Sequence, residues 1–575
     1  MDDQQRDEFF ERLWTGAATL EDWTATVAGG VAQPIADDVI TIHTSYLFGN
    51  ATALRTSEGI VLIDSGSRET AAQTFAVLRR WDEAPVHTII YTHGHIDHTW
   101  GARLYDQEAD GKGFARPRVI AHRNVLNRFK RYDTTHDLNS LVMGRQFNQP
   151  GYTFPDQHRR PDEVYDETLS LDIGGTKIEL MHGRGETDDA TFVWLPQKQI
   201  VASGDFVIWV FPNAGNPRKV QRYAPDWARA LRQMQALTPA VLVPGHGPVV
   251  RGAKRVDEML GSAADVLESL TTQTLALMNT GSSLDDILHK VSAPPELLAR
   301  PWLKPKYDDP EFVVRNIWHL YAGWFDGNPS HLKPASDAEL AAEISTLVGG
   351  VDRLARRAGE LAASGHTRLA AHLIEFASDA MPQSPQIQSV RAEVYGRCAE
   401  AETSLIGKAI FSVYQRDAKE RSTVPIRAVT FPRDESAHET EEILAETEGG
   451  QQILDWLASF PGYLHAGAAF GDFEVVSFHL RRESPSELVL NLPDSPRPVT
   501  VTFTLGDWID TRIEGFSHQN VIGGLRLRRA GLRDTQLWEQ GVGMVPGLIE
   551  IELEPCFGAN GVIRATLQKV HLQFS

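Results

Sequence analysis

The chain has 575 residues, with 56 lysines and arginines against 76 aspartates and glutamates, so its formal net charge is −20. At roughly 150 residues per domain, this length predicts about three or four domains, or fewer large ones, with room for substantial cores. The acidic balance argues against a partner such as nucleic acid, whose phosphates need a positive protein face. An anionic small-molecule substrate stays open, provided that positive charge is concentrated at its site.

The chain carries no sign of export or of a membrane anchor. Its two cysteines, Cys398 and Cys556, cannot build a disulfide framework or a cysteine-rich zinc site. We expect two isolated buried thiols, with a single bridge as the alternative. The acidic N-terminus lacks the basic start and apolar core of a signal peptide, and no run approaches about 20 apolar residues. The sequence therefore predicts a cytoplasmic protein without membrane association.

Residues 1–255 are predicted to form a catalytic domain that begins with a short N-terminal helix and linker over residues 1–30. From Val39 three strand-like runs are separated by turns, and helical and strand patterns then alternate as far as residue 255. This mixture predicts an α/β domain in which two sheets are covered by helices on the outside.

Two further domains follow in the chain. Residues 256–422 are almost free of strand patterns and consist of amphipathic helices with short breaks, which predicts an all-α domain. These helices either cover the catalytic domain or build a dimer interface. Residues 423–575 alternate as strands around one helical run, which predicts a β-rich α+β domain of unknown function.

A dense group of metal-binding side chains directly follows the apolar run VHTII. His93, His95, Asp97 and His98 lie within six residues, in the spacing HxHxDH. A loop at the end of a strand can direct the first two histidines to one metal and the last two residues to a second. Imidazole and carboxylate suit a zinc-like ion, although the spacing alone leaves iron and manganese open. A single histidine is more often structural than metal-binding. Four such residues at this spacing, in contrast, are rarely a chance cluster.

Together with Asp64 in the run Ile63–Gly66, this motif resembles the metallo-β-lactamase superfamily, whose fold is an αββα sandwich. The resemblance implies that Asp205, which follows a strand, bridges two metals. It also implies that His246 is the last ligand of the second metal, and that Asp64 orients the histidines from behind; a turn-capping role is the alternative for Asp64.

One departure from the usual superfamily pattern narrows the resemblance. Glu186 stands where a third histidine of the first metal is expected, and this resembles the class III alkylsulfatases, the branch that cleaves alkyl sulfate esters. The runs at 315–321 and 323–329, RNIWHLY and GWFDGNP, resemble motifs between the catalytic and dimerisation regions of that branch. The resemblance therefore implies an alkylsulfatase dimerisation region and a homodimer.

The resemblance further implies two Zn²⁺ ions per chain. Three carboxylates and a bridging hydroxide would cancel the charge of the two ions, so an anionic ester needs additional cations nearby. Asp97 and Asp205 are expected to take part in catalysis as well as in metal binding. The ligand set that the resemblance implies is His93, His95, Asp97, His98, Glu186, Asp205 and His246.

The loop at 213–223 supplies the cations. Arg218 lies where the alkylsulfatase pattern has a sulfate-holding arginine, and a guanidinium fork suits sulfate oxygens. Asn213 is predicted to donate to the same group, and Tyr223 to the leaving oxygen. The alternative interpretation is a solvated basic loop. Further cations of this loop are Lys219 and Arg222.

The leading hypothesis is a dinuclear zinc hydrolase that releases an alcohol and inorganic sulfate from an alkyl sulfate ester with metal-activated water. A first alternative keeps the metal chemistry but changes the substrate to a lactone, thioester, phosphodiester or β-lactam. A second alternative is a scaffold or binding protein on a metal-binding fold. Three aromatic residues either line an alkyl pocket or belong to the ordinary core, namely Trp209, Phe211 and Trp324.

Overall fold

The computed structural model describes residues 3–45, 47–147, 149, 151–423, 435–458, 474–479, 486–492, 499–514, 522–529, 548–555 and 560–574. The chain divides into two compact units, unit 1 with residues 1–423 and unit 2 with residues 424–575. Among the described residues, no helix combines the length and the apolar composition that crossing a bilayer requires. Cys398 is a buried thiol without a disulfide, and Cys556 lies outside the described residues.

The first sheet of unit 1 has seven strands in chain order. Its first four strands pair antiparallel, whereas β4 to β7 pair parallel. The strands are β1 (Val31–Ala36), β2 (Val39–His43), β3 (Ala51–Thr56), β4 (Gly59–Ile63), β5 (Val86–Ile90), β6 (Arg118–His122) and β7 (Glu163–Tyr165).

The second sheet has six strands in the order β13-β12-β11-β10-β9-β8. Only β11 and β12 pair parallel; their neighbours pair antiparallel. The strands are β8 (Thr168–Ile173), β9 (Thr176–His182), β10 (Thr191–Leu195), β11 (Ile200–Gly204), β12 (Val241–Pro244) and β13 (Val250–Arg251).

Apolar side chains are buried on both faces of these sheets. In β5, Ile90 packs between the two sheets with residues such as Leu180 and Val243, while its neighbour Ile89 packs under the outer helices. Because successive strand residues point to opposite faces, a continuous apolar run can serve both layers. The predicted αββα sandwich is therefore confirmed.

The outer helices of the sandwich include one long helix, α9, and several short ones. One short helix was predicted within residues 1–30, but the structure has two, because Thr19 and Asp22 form a capping box that begins a second helix. The helices are α1 (Asp3–Trp14), α2 (Leu20–Val27), α3 (Ala71–Trp81), α4 (Ile96–Thr99), α5 (Ala102–Lys112), α6 (Asn124–Thr134), α7 (His136–Gln146), α8 (Ala224–Ala236) and α9 (Ala253–Asn279).

Unit 1 ends in a run of helices, as the amphipathic patterns predicted. Alanines and leucines of α14 and α15 pack with α16 around Ala358 and Ile374. The helices are α10 (Leu284–Lys290), α11 (Pro295–Leu298), α12 (Pro310–Ala322), α13 (Asp337–Val348), α14 (Val351–Ala363), α15 (Thr367–Ala380), α16 (Pro385–Ala401) and α17 (Leu405–Thr423).

Unit 2 contains a six-stranded sheet in the order β14-β15-β16-β19-β18-β17 and two helices that pack on its apolar face. The β-rich C-terminal prediction is confirmed by this sheet. The elements are α18 (Glu435–Glu446), α19 (Gly450–Ala458), β14 (Glu474–His479), β15 (Ser486–Leu492), β16 (Val499–Glu514), β17 (Ile522–Arg529), β18 (Leu548–Pro555) and β19 (Asn560–Phe574).

Candidate metal centre

The HxHxDH motif lies where the buried strand β5 ends. The backbone N–H of Tyr91 still donates to the carbonyl of Ile120 in β6 at 3.0 Å, and the chain then turns away from the sheet. His95 is the N-cap of the short helix α4, which places Asp97 and His98 in its first turn. The predicted loop at a strand end is thus present, completed by one helical turn.

Four side chains from three separate loops form the first ligand group: His93, His95, Glu186 and Asp205. Nδ1 of His95 lies 3.3 Å from Oε2 of Glu186. Nε2 of His93 lies 3.7 Å from Oδ2 of Asp205 and 3.8 Å from Oε2 of Glu186. Two imidazoles and two carboxylates at these separations are donors that suit a zinc-like ion.

Asp97, His98 and His246 form a second ligand group. Nε2 of His98 and Nε2 of His246 lie 3.4 and 3.5 Å from Oδ2 of Asp97. The same two nitrogens lie 3.3 and 3.4 Å from Oδ1 of Asp205. Asp205 therefore presents one carboxylate oxygen to each group, which is the geometry that a bridging ligand requires.

The donor atoms of these groups fit a bound cation. Nε2 of His98, Oε2 of Glu186 and Oδ1 of Asp205 are buried and have no hydrogen-bond partner in the part of the chain that the structure describes. Such unpaired buried atoms are costly unless a ligand satisfies them. Burial lowers the pKa of His98, but the charges of Asp205, Asp97 and Asp64 outweigh burial and raise it well above its usual value. The carboxylates around His98 therefore favour positive charge at this centre, as a bound metal ion would supply.

Asp64 orients His98 from behind. Its Oδ2 lies 2.7 Å from Nδ1 of His98 and accepts a hydrogen bond from Oγ1 of Thr92 at 2.7 Å. Its Oδ1 accepts the backbone N–H of Thr92 at 2.8 Å. The backbone of Asp64 has a φ of 59°, in the left-handed region that few residues other than glycine adopt. With Nδ1 engaged, Nε2 of His98 is directed at the second group.

Glu186 is held by two residues of the 213–223 loop. Its Oε1 accepts hydrogen bonds from Nδ2 of Asn213 at 2.5 Å and from a terminal guanidinium nitrogen of Arg222 at 2.6 Å. Burial raises the pKa of Glu186, but the charges of Arg222 and then His95 outweigh it and lower the pKa to about 2. The sequence indicated Arg222 only as a further cation, and no local signal marked its contact with a carboxylate 36 residues away.

Two other residues predicted to hold the substrate lie on the same loop and contact different groups. The backbone N–H of Arg218 donates to Oδ1 of Asn216 at 3.1 Å. The ring of Tyr223 lies 4.7 Å from the guanidinium of Arg184. Within the described residues, no hydrogen bond or ion pair joins either side chain to the two ligand groups, and Nε of Arg218 is buried without a partner. Their roles remain predictions.

Lys219 is one of the further cations that the sequence indicates in the 213–223 loop. Its Nζ lies 3.1 Å from Sδ of Met143 in α7. Burial, followed by the charge of Arg222, lowers the pKa of Lys219 to about 8, while Glu186 acts in the opposite direction. A partly buried ammonium group whose contact is a thioether has donor capacity left for an anion.

The aromatic residues near the centre belong mainly to the core. Trp209 and Phe211 are fully buried, and Nε1 of Trp209 donates to the carbonyl of Pro248 at 2.7 Å. Trp324, in contrast, is 65% exposed. For Trp209 and Phe211 the structure therefore favours the core interpretation over an alkyl pocket.

Comparison with known proteins agrees with this geometry. Residues 45–246 match the metallo-beta-lactamase superfamily, and residues 283–421 match the alkyl sulfatase dimerisation region. A linear primary-alkylsulfatase of a Pseudomonas strain is 27% identical over 375 residues, which are 60% of this chain and 70% of that protein. The alkyl/aryl-sulfatase BDS1 of Saccharomyces cerevisiae is 26% identical over 383 residues, which are 62% of this chain and 59% of the yeast protein.

A solved structure shares the fold. The stereoselective inverting sec-alkylsulfatase Pisa1 from Pseudomonas sp. aligns with a TM-score of 0.61 at 17% identity, covering 91% of this chain and 82% of that protein. The match to both sequence regions, the named relatives and this shared fold confirm the resemblance that Glu186 and the GWFDGNP run indicated. The chain therefore combines a metallo-β-lactamase superfamily region with an alkyl sulfatase dimerisation region, and the named relatives resemble it across both.

Proposed function

We propose that the chain is a dinuclear zinc hydrolase that cleaves alkyl sulfate esters to an alcohol and inorganic sulfate with metal-activated water. The observation that carries the proposal is the pair of ligand groups that share Asp205, with Glu186 in one of them. Relatives at 24–27% identity are named as alkylsulfatases, which supports the same substrate class.

The donor set supports zinc as the metal and two ions as their number. Seven nitrogen and oxygen donors in two groups suit zinc, and their separations leave room for one ion in each. When bound, zinc ions polarise a substrate oxygen and lower the pKa of a coordinated water to about 7. The protein's part is to hold the seven side chains in place and to fix the tautomer of His98 through Asp64.

The 213–223 loop is proposed to hold the sulfate group. Asn213 uses one hydrogen of its Nδ2 on Glu186 and keeps the second for a sulfate oxygen. Arg218 is proposed to supply the guanidinium fork and Tyr223 the proton donor to the leaving oxygen. Because three carboxylates offset most of the charge of two zinc ions, the cations Arg218 and Lys219 are needed to attract an anion.

The active form is proposed to be a homodimer. The match of residues 283–421 to a dimerisation region supports it. Large apolar side chains in the same region are exposed, among them Trp324 at 65% and Leu347 at 73%. Exposed apolar surface of this kind favours burial against a partner.

The proposal is tested with purified full-length protein and a panel of alkyl sulfates of different chain length. We expect turnover that needs about two zinc ions per chain and that is lost on chelation and in His93→Ala. The matched control is His289→Ala, which removes an exposed histidine that belongs to neither ligand group and should leave turnover unchanged.

Hydrolysis in ¹⁸O-labelled water locates the broken bond. Label in the alcohol indicates attack at carbon, and label in the sulfate indicates attack at sulfur. A zinc-loaded protein that is inert towards the whole sulfate-ester panel would contradict the proposed function.

A further inference from the structure

The 213–223 loop is held from two sides. On one side its side chains contact Glu186 of the first ligand group. On the other side lies Asp308, two residues before α12, whose Oδ2 accepts the backbone N–H groups of Gly215 at 2.6 Å and of Asn216 at 3.2 Å. The loop therefore connects the metal centre to a segment of the region that matches the dimerisation family.

Helix α12 adds contacts to the same loop. Oδ1 of Asn316 accepts the backbone N–H of Arg222 at 3.3 Å and also accepts from Nε2 of Gln221. Its Nδ2 donates to the carbonyl of Gly215 at 3.4 Å. The backbones approach so closely that a Cβ at Gly215 would lie 2.4 Å from the carbonyl carbon of Phe312. Loop and helix are thus fitted to each other without space for a larger residue.

Asp308 is fully buried, and it forms no ion pair within the described residues. Its oxygens accept three backbone N–H groups, the third being that of Asp309 at 2.9 Å. Burial raises the pKa of Asp308 to about 7 although these donors lower it. Burying a carboxyl group without an ionic partner costs stability. Asp308 therefore stabilises the protein through the hydrogen bonds that it accepts from the loop backbone.

We propose that Asp308 and Asn316 are positioning residues that fix the 213–223 loop so that Arg222 meets Glu186. While the loop occupies Oε1 of Glu186, Oε2 stays directed at the first ligand group. Release of the loop frees Glu186 to turn, which lowers the zinc affinity of the first group and displaces the cations proposed to hold the ester. The inference rests on the metal centre of the proposed function.

The test compares full-length Asp308→Asn with the matched control Asp309→Asn. Asp309 accepts the backbone N–H of Glu311 at 2.8 Å and so caps α12, and its side chain makes no hydrogen bond to the loop. In competition with a chromophoric chelator, we expect Asp308→Asn to lower the affinity for one of two zinc ions about 10-fold. We also expect a raised KM for hexyl sulfate. Asp309→Asn should keep both values and leave the Tm nearly unchanged, because asparagine caps a helix about as well as aspartate.

Gly215→Ala provides a second variant that leaves Asp308 intact and pushes the loop away from α12. It should show the same loss of zinc affinity. If Asp308→Asn is recovered unfolded, the measurement on Gly215→Ala replaces it. Wild-type zinc affinity and KM in both variants, or an equal zinc loss in Asp309→Asn, would overturn the inference. If the wild type binds zinc but hydrolyses no sulfate ester, the proposed function fails while the zinc measurement still decides the positioning role.

Discussion

A buried ion pair fixes the backbone of the HxHxDH loop that follows β5. Nε of Arg128 in α6 lies 2.6 Å from Oδ2 of Asp189, and a second guanidinium nitrogen lies 3.0 Å from its Oδ1. Oδ2 of Asp189 also accepts the backbone N–H of Gly94, between the first two histidines of the motif, at 3.2 Å. A cation on an outer helix is thereby linked through one carboxylate to the loop that presents His93 and His95.

Asp189→Asn is expected to destabilise the protein, because it leaves Arg128 buried with only Asp188 as an ionic partner. The loss should be about 3 kcal/mol, at the lower end for breaking a buried pair. Burial raises the pKa of Asp189, but the charge of Arg128 outweighs it and holds the pKa far below its usual value. This stabilisation is therefore present above about pH 4 and is lost as the pH falls further.

Urea unfolding at pH 7 and at about pH 3, below the ordinary pKa of an aspartate, measures the effect. Wild type should lose more of its unfolding free energy on acidification than Asp189→Asn. The control is Asp166→Asn, which breaks the solvent-exposed pair with Arg123 and should leave the unfolding midpoint unchanged. Equal unfolding midpoints for wild type and Asp189→Asn at pH 7 would contradict the prediction.

Parallel strands bring most of the metal centre to one edge of each sheet. Asp64 follows β4 and His93 follows β5, which is its parallel neighbour. Asp205 follows β11 and His246 follows β12, the parallel pair of the second sheet. Each strand shows in the sequence as an apolar run that ends in a short motif. These placements could therefore be predicted before the structure was known.

The partners of Glu186 could not be predicted in the same way. Asn213 and Arg222 lie 27 and 36 residues further along, on a loop without a periodic pattern. The hold of Asp308 on that loop joins positions more than 90 residues apart. Such contacts depend on how α12 packs against the sandwich, and apolar periodicity does not carry that information. The resemblance and the guanidinium fork favour Arg218, whereas the hydrogen bonds in the structure favour Arg222.

The close approach of β11 and β12 yields a prediction at Gly245. A Cβ there would lie 2.1 Å from Oδ1 of Asp205 and 2.7 Å from the carbonyl carbon of Gly204. Gly245→Ala should therefore displace the carboxylate of Asp205, which is proposed to bridge two zinc ions, and leave fewer than two zinc ions per chain, with the secondary structure retained. Elemental analysis and circular dichroism measure the two properties. The control is Gly111→Ala in α5, where the added methyl group would have no described atom within 4 Å apart from the adjoining residues and backbone of its own helix.

A full zinc complement in Gly245→Ala would contradict this prediction, since it would mean that the turn after β12 can move without disturbing Asp205. Loss of zinc in Gly111→Ala would point instead to a general sensitivity of the fold. The contrast between the two glycines separates a steric effect at the metal centre from an effect of alanine itself.

At the scale of the whole molecule, a chain with a large excess of negative charge is proposed to bind an anion. The formal charge is −20, and the cations Lys219 and Arg222 beside the ligand groups are partly or fully buried. Charges on the surface are screened by salt, with a Debye length of about 30 Å at 0.01 M and about 8 Å at 0.15 M, whereas buried charges are screened much less. Salt therefore weakens the long-range repulsion of the substrate more than its local attraction.

We expect kcat/KM for hexyl sulfate to rise roughly two-fold or more between 0.01 and 0.15 M KCl, because repulsion of the anion is screened while its contacts at the site persist. The measurement uses concentrations below micelle formation, so that the free ester is the substrate throughout. The matched control is an alkyl sulfate of equal length with a terminal trimethylammonium group, whose net charge is zero and whose kcat/KM should stay constant. A fall in kcat/KM with salt for hexyl sulfate alone would mean that cations near the surface, and not the net charge, govern its approach.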